Sequence, residues 1–195
     1  MALVTISDGN TPLSPEELAD LIPSLATKED LNEWERENII NAREWAAKGR
    51  TTAIDVVSDA YIRKLHEKMF DQTWKWAGQY RNTEKNIGVP FHEIREQLGG
   101  LVGDVRYWIE NQTYSADEIA MRFHHRLVQI HPFPNGNGRH ARLLADLLVT
   151  KLGQRSFTWG ARDLVKLGEA RTKYLEAIRT ADNGDIKLLL TFARS

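Results

Sequence analysis

Apolar residues recur at helical spacing along most of the chain, and three of these segments begin with helix-capping residues. Ser14-Pro15-Glu16-Glu17 and Ser115-Ala116-Asp117-Glu118 each place a hydroxyl three residues before a glutamate, and Thr27 with Asp30 is a weaker version. The spacing predicts three helices, whose apolar stripes are Leu31, Trp34, Ala42 and Trp45; Ile54, Val57, Tyr61 and Leu65; and Ile119, Phe123, Leu127 and Ile130.

The second half of the chain continues this pattern. A strongly apolar helix is predicted after Arg142, ending near Gly153, and further helices are predicted over 164–178 and 185–192. Residues 80–91 are the one extended candidate, because Gly88 and Pro90 interrupt helical spacing. We therefore predict an all-α domain that carries one short β-hairpin.

Composition narrows the class of protein. The 195 residues suit a single domain, and 26 basic residues against 27 acidic ones argue against a nucleic-acid or membrane surface over the whole molecule. The absence of cysteine excludes disulfides and a thiol nucleophile. No signal peptide or membrane-spanning apolar run is visible, so the cytoplasm is the expected compartment.

The segment 131–142 carries the chemically informative residues. In Asn135-Gly136-Asn137-Gly138, residue types that readily adopt positive φ precede an apolar helix, so that successive backbone N–H groups can converge at its N-terminus. Arg139 and Arg142 are three residues apart and project from one face of that helix. This arrangement favours binding of a polyphosphate.

His131 lies one loop before these glycines, at the end of the preceding predicted helix. A histidine titrates near neutral pH, so it can accept a proton from a hydroxyl that attacks phosphorus. The alternative is that the Asn-Gly-Asn-Gly segment is only a turn and His131 only a helix C-cap. The two arginines in helical phase favour the functional interpretation.

The same segment resembles the signature of the Fic (Fic/Doc) family, His-x-Phe-x-[Asp/Glu]-Gly-Asn-[Gly/Lys]-Arg-x-x-Arg. The matching residues are His131, Phe133, Gly136, Asn137, Gly138, Arg139 and Arg142. Residues 76–81 resemble the approach to the family's flap, and residues 174–185 its C-terminal helices. The N-terminal half and Asn135 resemble the subgroup labelled mobile mystery protein B. The resemblance implies a helical bundle with one β-hairpin flap, formed by residues 51–195, on which N-terminal helices in residues 1–50 pack as one unit.

By this resemblance the chain is a protein adenylyltransferase, which moves AMP from ATP to a Ser, Thr or Tyr hydroxyl of a target protein or of itself. His131 would be the general base. Gly136, Asn137 and Gly138 would form the anion hole around the phosphates. Arg139 and Arg142 would neutralise the outer phosphates as pyrophosphate leaves. The implied catalytic residues are His131, Asn137, Arg139 and Arg142.

Other roles follow from the same resemblance. Phe133 would hold the loop in the core, and Tyr174 would border the adenine. The target segment would add as a strand to the flap, whose binding residues would be Asn86, Ile87, Gly88 and Val89. No nucleic-acid or membrane partner is implied.

Asn135 departs from the family pattern, which has Asp or Glu there to hold Mg²⁺. A carboxamide oxygen can bind Mg²⁺ or Mn²⁺ but brings no charge, so we expect the phosphates of ATP to provide most of the metal ligation. A nucleotide-binding protein with little turnover is therefore an alternative. The glycine at position 138 favours AMP transfer over the kinase-like reaction of relatives with lysine there.

Many family members carry an inhibitory helix with the pattern [Ser/Thr]-x-x-x-Glu-[Gly/Asn], whose glutamate pairs with the second motif arginine. The nearest match is Glu37-Asn38, although Glu33 stands where a hydroxyl residue belongs. This match makes Glu37 a candidate inhibitory residue. In a second alternative, the protein is a de-AMPylase or another phosphate-group transferase on the same scaffold, and Glu37 acts on a water molecule. The alternative is that Glu37 lies on a solvated helix face, which the mismatch favours.

Overall fold

The computed structural model describes residues 13–25, 27–161 and 168–195. The α-helices are α1 (Pro15–Ala19), α2 (Lys28–Lys48), α3 (Ala53–Val56), α4 (Asp59–Phe70), α5 (Ile94–Glu110), α6 (Ala116–Ile130), α7 (Asn137–Lys151), α8 (Glu169–Asp182) and α9 (Lys187–Arg194). Two short 3₁₀ helices span Phe91–Glu93 and Trp159–Ala161. The prediction of an all-α bundle is confirmed.

Helices α6 and α7 form the centre of the bundle and pack extensively against each other. The stripe predicted for α6 is confirmed, since Ile119, Phe123, Leu127 and Ile130 are all buried. In α7, Leu144 and Leu148 are fully buried. The loop 131–136, which carries the first half of the motif, joins these two helices. Because both helices are part of the core, both ends of the loop are fixed.

Helix α2 packs on α4 with a face that agrees with the predicted one at Ala42, which is buried, and at Leu31 and Trp45, which pack against the core, but not at Trp34. The buried residues of α2 are Glu35, Asn38, Ala42 and Ala46, which follow helical spacing, whereas Trp34 is 40% exposed. The prediction of a stripe through Trp34 is wrong, because its indole bonds to the Gln72 carbonyl at the edge of the bundle instead. As a result, α2 places the carboxylate of Glu35 inside the helical bundle.

The second predicted stripe is divided between two helices. The turn at Val57 ends α3, and Ser58 caps α4 by accepting a hydrogen bond from the Tyr61 N–H. Helix α3 is itself capped by a reciprocal pair of hydrogen bonds between Thr52 and Asp55. Local capping chemistry therefore interrupts an apolar pattern that extends across both helices.

The segment between α4 and α5 contains no regular strand. Among the described residues there is only an isolated antiparallel bridge, between Leu21 and Trp74, so the predicted β-hairpin is not confirmed. We call residues 82–89 the flap. The N–H groups of Arg81 and Val89, which border this loop, donate to the carbonyls of Pro132 and Ile130 and not to each other. Helix α5, which follows, was not predicted by the apolar pattern.

The C-terminal helices cover the far side of the site. Part of the predicted helix at 164–178 lies outside the described residues, and α8 begins at Glu169. The predicted last helix is confirmed as α9, two residues later than expected. Among the described helices, none combines the length and apolar character needed to cross a membrane.

Candidate active site

Phe133 holds the loop 131–136 in the core. Its ring is fully buried and lies 3.7 Å from the ring of His66, in a nearly parallel stack. The ring of His140 approaches edge-on at 5.1 Å, and Tyr80 lies 5.5 Å away. These aromatic neighbours surround the Phe133 ring on several sides and so fix the position of the loop.

His66 joins this loop to the turn after α4. Its Nδ1 accepts a hydrogen bond from the Gly78 N–H at 3.0 Å, so the proton lies on Nε2, which donates to the Asn135 carbonyl at 3.0 Å. Complete burial holds the pKa of His66 well below its usual value, so the ring is neutral. Sequence reasoning missed His66, and its partners are too far along the chain for any local pattern to indicate them.

The Asn137 side chain shapes the same loop. Its Oδ1 accepts from the Phe133 N–H at 2.9 Å, and its Nδ2 donates to the Phe133 carbonyl at 2.8 Å. Gly136 has a φ of +78°, and a Cβ there would lie 2.5 Å from the Phe70 ring. Position 136 therefore requires glycine on two grounds, conformation and space. The side chain of Asn137 supports the loop, while its backbone opens α7.

The N-terminus of α7 is bordered by the second arginine of the motif. It has no side-chain cap hydrogen bond, so the amides of its first turn are available to an anion. A Cβ built on Gly138 would lie 3.7 Å from the nearest guanidinium nitrogen of Arg142. Arg142 thus borders the first turn, and the bare backbone of Gly138 keeps the space beside it open.

Asn135 is turned toward the loop. Its Oδ1 accepts a hydrogen bond from the adjacent Gly136 N–H at 2.5 Å, which removes that amide from the set that can bind an anion. The same oxygen retains one lone pair and carries no charge. The donor set around α7 therefore suits a triphosphate, and it contains no carboxylate at position 135 for Mg²⁺.

His131 ends α6 in the left-handed conformation, with φ of 53°. Its side chain is almost buried, and burial lowers its pKa to about 3, with further lowering by the nearby cations Arg81 and Lys85. A hydrogen bond with the Val128 backbone opposes the shift. The imidazole is therefore neutral at neutral pH, the form that can accept a proton.

Arg139 is paired with a carboxylate of the N-terminal region. Its Nη1 lies 2.6 Å from Oε2 of Glu35, and Oε1 of Glu35 accepts from the Trp74 indole at 2.8 Å. Glu37, the candidate from the sequence, is exposed, which agrees with the alternative of a solvated helix face. Two residues along a helix rotate a side chain by about 200°, which turns Glu37 away from the face that Glu35 shares with the bundle.

Arg142 is held by α8. Its guanidinium lies 5.4 Å from the centre of the Tyr174 ring and bonds to the Tyr174 hydroxyl, which also lies 3.1 Å from Nε2 of His124. Burial lowers the pKa of Arg142, and Tyr174 opposes this shift. The structure therefore places the predicted adenine-bordering residue, Tyr174, against the second motif arginine.

The flap lies over His131. A Cβ added to Gly88 would lie 2.7 Å from the Cβ of His131, and Gly88 has a φ of +102°. Ile87 at the tip is 41% exposed. Of the predicted target-binding residues Asn86, Ile87, Gly88 and Val89, the structure thus places Gly88 against the candidate base, within an irregular loop.

Comparisons with known proteins give a match to one family. The model of the Fic/DOC family matches residues 56–149, which include the flap and the whole motif. The protein adenylyltransferase Fic of Nematostella vectensis is 29% identical over 119 residues, covering 60% of this chain and 26% of that protein. The protein adenylyltransferase fic-1 of Caenorhabditis elegans is 31% identical over 118 residues, covering 57% and 21%. The chain therefore spans about a quarter or less of the length of these relatives.

Solved structures share the fold. Residues 134–508 of Fic-1 from C. elegans superpose with a TM-score of 0.70 at 24% identity, covering 92% of this chain and 52% of that one. The BepC protein of Bartonella tribocorum, solved with bound AMPPNP, has a TM-score of 0.61 at 20% identity, with 85% of each chain covered. A Fic domain of Bartonella quintana with bound ADP has a TM-score of 0.65 at 18% identity, covering 89% and 87%.

Proposed function

Because the chain belongs to the Fic/DOC family, we propose that it transfers the AMP moiety of ATP to a Ser, Thr or Tyr hydroxyl of a protein. The observation that carries this proposal is the uncapped N-terminus of α7. Its free amides lie beside Arg142, and α6 ends at a neutral imidazole one loop before them. Relatives named as protein adenylyltransferases support the reaction class.

Phosphate binding is the first step of the proposal. The amides of Asn137 and Gly138 point along the helix axis, and the positive end of the α7 dipole adds to their attraction for an anion. Arg142 lies within reach of the same opening. The α- and β-phosphates would occupy the helix N-terminus, and Arg142 would neutralise the charge that develops on the leaving pyrophosphate.

In the chemical step, the target hydroxyl oxygen attacks the α-phosphorus while the bond from that phosphorus to the bridging oxygen of the β-phosphate breaks. The hydroxyl proton passes to His131, and pyrophosphate leaves with the bond's electron pair. The products are the AMP-bearing target and pyrophosphate. No covalent enzyme intermediate is needed, so the residues contribute by positioning and by charge.

The low pKa of His131 is part of this proposal. With Arg81 and Lys85 nearby, a proton on the imidazole is disfavoured in the free protein. A bound triphosphate brings negative charge into the same opening and raises the proton affinity of the imidazole. His131 would therefore accept a proton more readily when ATP is bound, and it would stay unprotonated when ATP is absent.

Mg²⁺ would assist by neutralising the phosphates when it is bound with ATP. Asn135 would contribute at most one neutral oxygen, because its Oδ1 already accepts from the Gly136 N–H. The positive charge that the protein itself places next to the phosphates would come from Arg142. Arg139 would add to it once its ion pair with Glu35 is broken. The target segment would lie along the flap, over His131.

One experiment separates this function from its alternatives. The protein is incubated with ATP labelled on the α-phosphate or, in parallel, on the γ-phosphate, with Mg²⁺ or Mn²⁺, and labelled protein is counted. We expect label from the α-position alone, on the protein itself or on an added lysate protein. Label from the γ-position would indicate a kinase, and nucleotide binding without label would indicate a binding protein.

His131→Ala is the control for the chemical step. Removing a general base lowers rates by about 100-fold to 10,000-fold, so α-label should almost vanish while ATP binding persists. His92→Ala is a matched control, because His92 is an exposed histidine outside the loop. If His131→Ala retains the wild-type rate of α-label transfer, the assignment of the base is overturned.

A further inference from the structure

Arg81 is a buried arginine at the start of the flap whose side chain bonds to three different carbonyls. Its Nε donates to the His131 carbonyl at 2.7 Å, its Nη1 donates to the Thr83 carbonyl at 2.9 Å, and its Nη2 donates to the Val89 carbonyl. The side chain is fully buried, and two carboxylates favour its charge: Glu84, which lies 3.9 Å away and is largely exposed, and Glu17. Arg81 therefore acts mainly through backbone carbonyls.

These bonds make the flap the C-terminal cap of the helix that carries His131. The carbonyls of three successive residues at the end of α6 accept from the flap region: Ile130 from the Val89 N–H, His131 from Arg81 Nε, and Pro132 from the Arg81 N–H. The last carbonyls of a helix lack partners within the helix, and the negative end of the dipole favours a cation there. Arg81 supplies two of these three donors and the charge.

The geometry of the bonds requires the fork of an arginine. Thr83 and Val89 lie on opposite limbs of the flap, and the His131 carbonyl belongs to a third segment. A guanidinium presents five N–H donors in one rigid plane, whereas a lysine has a single nitrogen that cannot reach three separated acceptors. Gly88 completes the contact, because any Cβ there would lie 2.8 Å from Arg81 Nη2 and 2.7 Å from the His131 Cβ.

We propose that Arg81 is a positioning residue that holds the flap and His131 in one register, so that a target segment bound on the flap is placed correctly for the base. This inference rests on the proposed AMP transfer. Arg81 would act through the carbonyl of His131 and through both limbs of the flap, without contacting ATP or the target itself. Loss of the fork would loosen flap and base together.

Two variants separate the effect of the planar Arg81 guanidinium group from the effect of its positive charge. Arg81→Lys keeps the charge and loses the fork, and Arg81→Gln loses both. We expect each to lower the rate of α-label transfer by about 100-fold, since misplacement of a catalytic group by ~1 Å has that effect. Binding of ATP with Mg²⁺, measured by calorimetry, should stay within about twofold, because Arg81 does not contact the α7 N-terminus. Loss of ATP binding together with transfer would indicate a merely structural role.

The control variant is Arg63→Gln. Arg63 lies in the same region, donates from Nε to the Gly78 carbonyl and stacks on the Tyr80 ring. Neither of these contacts involves the flap or His131. It should keep the wild-type rate of transfer to within about threefold. A loss equal to that of Arg81→Lys would overturn the proposal, because general weakening of this region would then explain both.

Two measurements do not depend on activity and so distinguish failure of this inference from failure of the proposed function. Amide hydrogen exchange at residues 83–89 should rise at least about tenfold in both Arg81 variants and stay unchanged in Arg63→Gln. Burial is the largest cause of the low pKa of His131, so its NMR signal should titrate at a higher pH than in the wild type in both Arg81 variants, and at the highest pH in Arg81→Gln, which also removes a cation. Lys85 also lowers the pKa of His131 and is present in every variant.

A further variant covers the case in which Arg81→Gln does not fold. In Gly88→Ala the added methyl group meets the His131 Cβ, so the flap must lift while Arg81 remains. The proposal expects the same increase in exchange and the same loss of transfer. Unchanged exchange at residues 83–89 in both Arg81→Lys and Gly88→Ala would overturn it, whether or not the wild type transfers AMP.

Discussion

The two arginines of the motif lie one helical turn apart, yet opposite regions of the molecule hold them by different means. Arg139 is joined to the N-terminal helix α2 by an ion pair with Glu35, which is almost buried. Arg142 is joined to the C-terminal helix α8 by the neutral ring and hydroxyl of Tyr174. The two arginines of one motif therefore have different partners, a carboxylate for Arg139 and a neutral tyrosine for Arg142.

This difference has a functional consequence. A triphosphate attracts both guanidinium groups, but to bind Arg139 it must compete with a carboxylate that is nearly inaccessible to water and further held by Trp74. Tyr174 offers no such competition to a phosphate at Arg142. In the free protein, we expect the α8 side of the site to bind phosphate and the α2 side to restrain it.

Of the variants that test this difference, the one that removes the charge of Arg142 should have the largest effect. Arg142→Gln should lower the second-order rate constant for AMP transfer by about 100-fold or more, because one preorganised charge at the transition state has that magnitude. The measurement is transfer of α-label at several ATP concentrations. The double variant Glu35→Gln/Arg139→Gln removes the compensated pair as a unit, and its loss should be about 10-fold or less. Equal losses in the two variants would contradict the asymmetry.

Releasing Arg139 should have the opposite sign. Glu35→Gln keeps an oxygen that can accept from the Trp74 indole but removes the charge that binds Arg139. We expect ATP to bind about 10-fold more tightly, which corresponds to about 1.4 kcal/mol, with a parallel rise in self-modification. Glu37→Gln, two residues along the same helix and exposed, is the matched control and should change neither quantity. A gain in Glu37→Gln that equals the gain in Glu35→Gln would end this interpretation.

The contrast between the two arginines also marks what the sequence could predict. The positions of Gly136, Asn137, Gly138 and both arginines at the start of one helix follow from local spacing, and the structure places them there. The buried face of α6 follows from apolar periodicity in the same way. Both are properties of residues within a few turns of each other.

The partners of these residues could not be predicted, because they come from distant parts of the chain. Glu35 is 104 residues from Arg139, His66 is 69 residues from Asn135, and Arg81 is 50 residues from His131. A glutamate on an amphipathic helix usually faces solvent, so local spacing gave no sign that Glu35 is buried. The flap illustrates the same limit, since Arg81 and Val89 donate to the end of α6 and not across a hairpin.

A smaller effect tests the α8 side. Tyr174→Phe keeps the ring beside Arg142 and removes the hydroxyl that bonds to Arg142 and lies near His124. Loss of one such hydrogen bond is worth about 1 kcal/mol, so the KM for ATP should rise about fivefold with little change in kcat. Tyr107→Phe, at a position that is 60% exposed, is the matched control. If Tyr174→Phe instead abolishes nucleotide binding, Tyr174 contacts the nucleotide directly.

The smallest effect is expected at Asn135, which lies between the two sides. Asn135→Asp preserves an oxygen that can accept from the Gly136 N–H and adds a charge suited to Mg²⁺. The Mg²⁺ concentration for half-maximal transfer should fall about threefold, while transfer at saturating Mg²⁺ stays nearly constant, because the phosphates still provide most of the ligands. Asn135→Ala removes the bond to Gly136 without adding charge, and it shows how much of any change comes from the loop. A threefold fall that also occurs in Asn135→Ala would assign the effect to loop geometry. An unchanged Mg²⁺ requirement in Asn135→Asp would mean that residue 135 does not approach the metal, so that phosphate binding in this protein depends on the two arginines and the amides of α7.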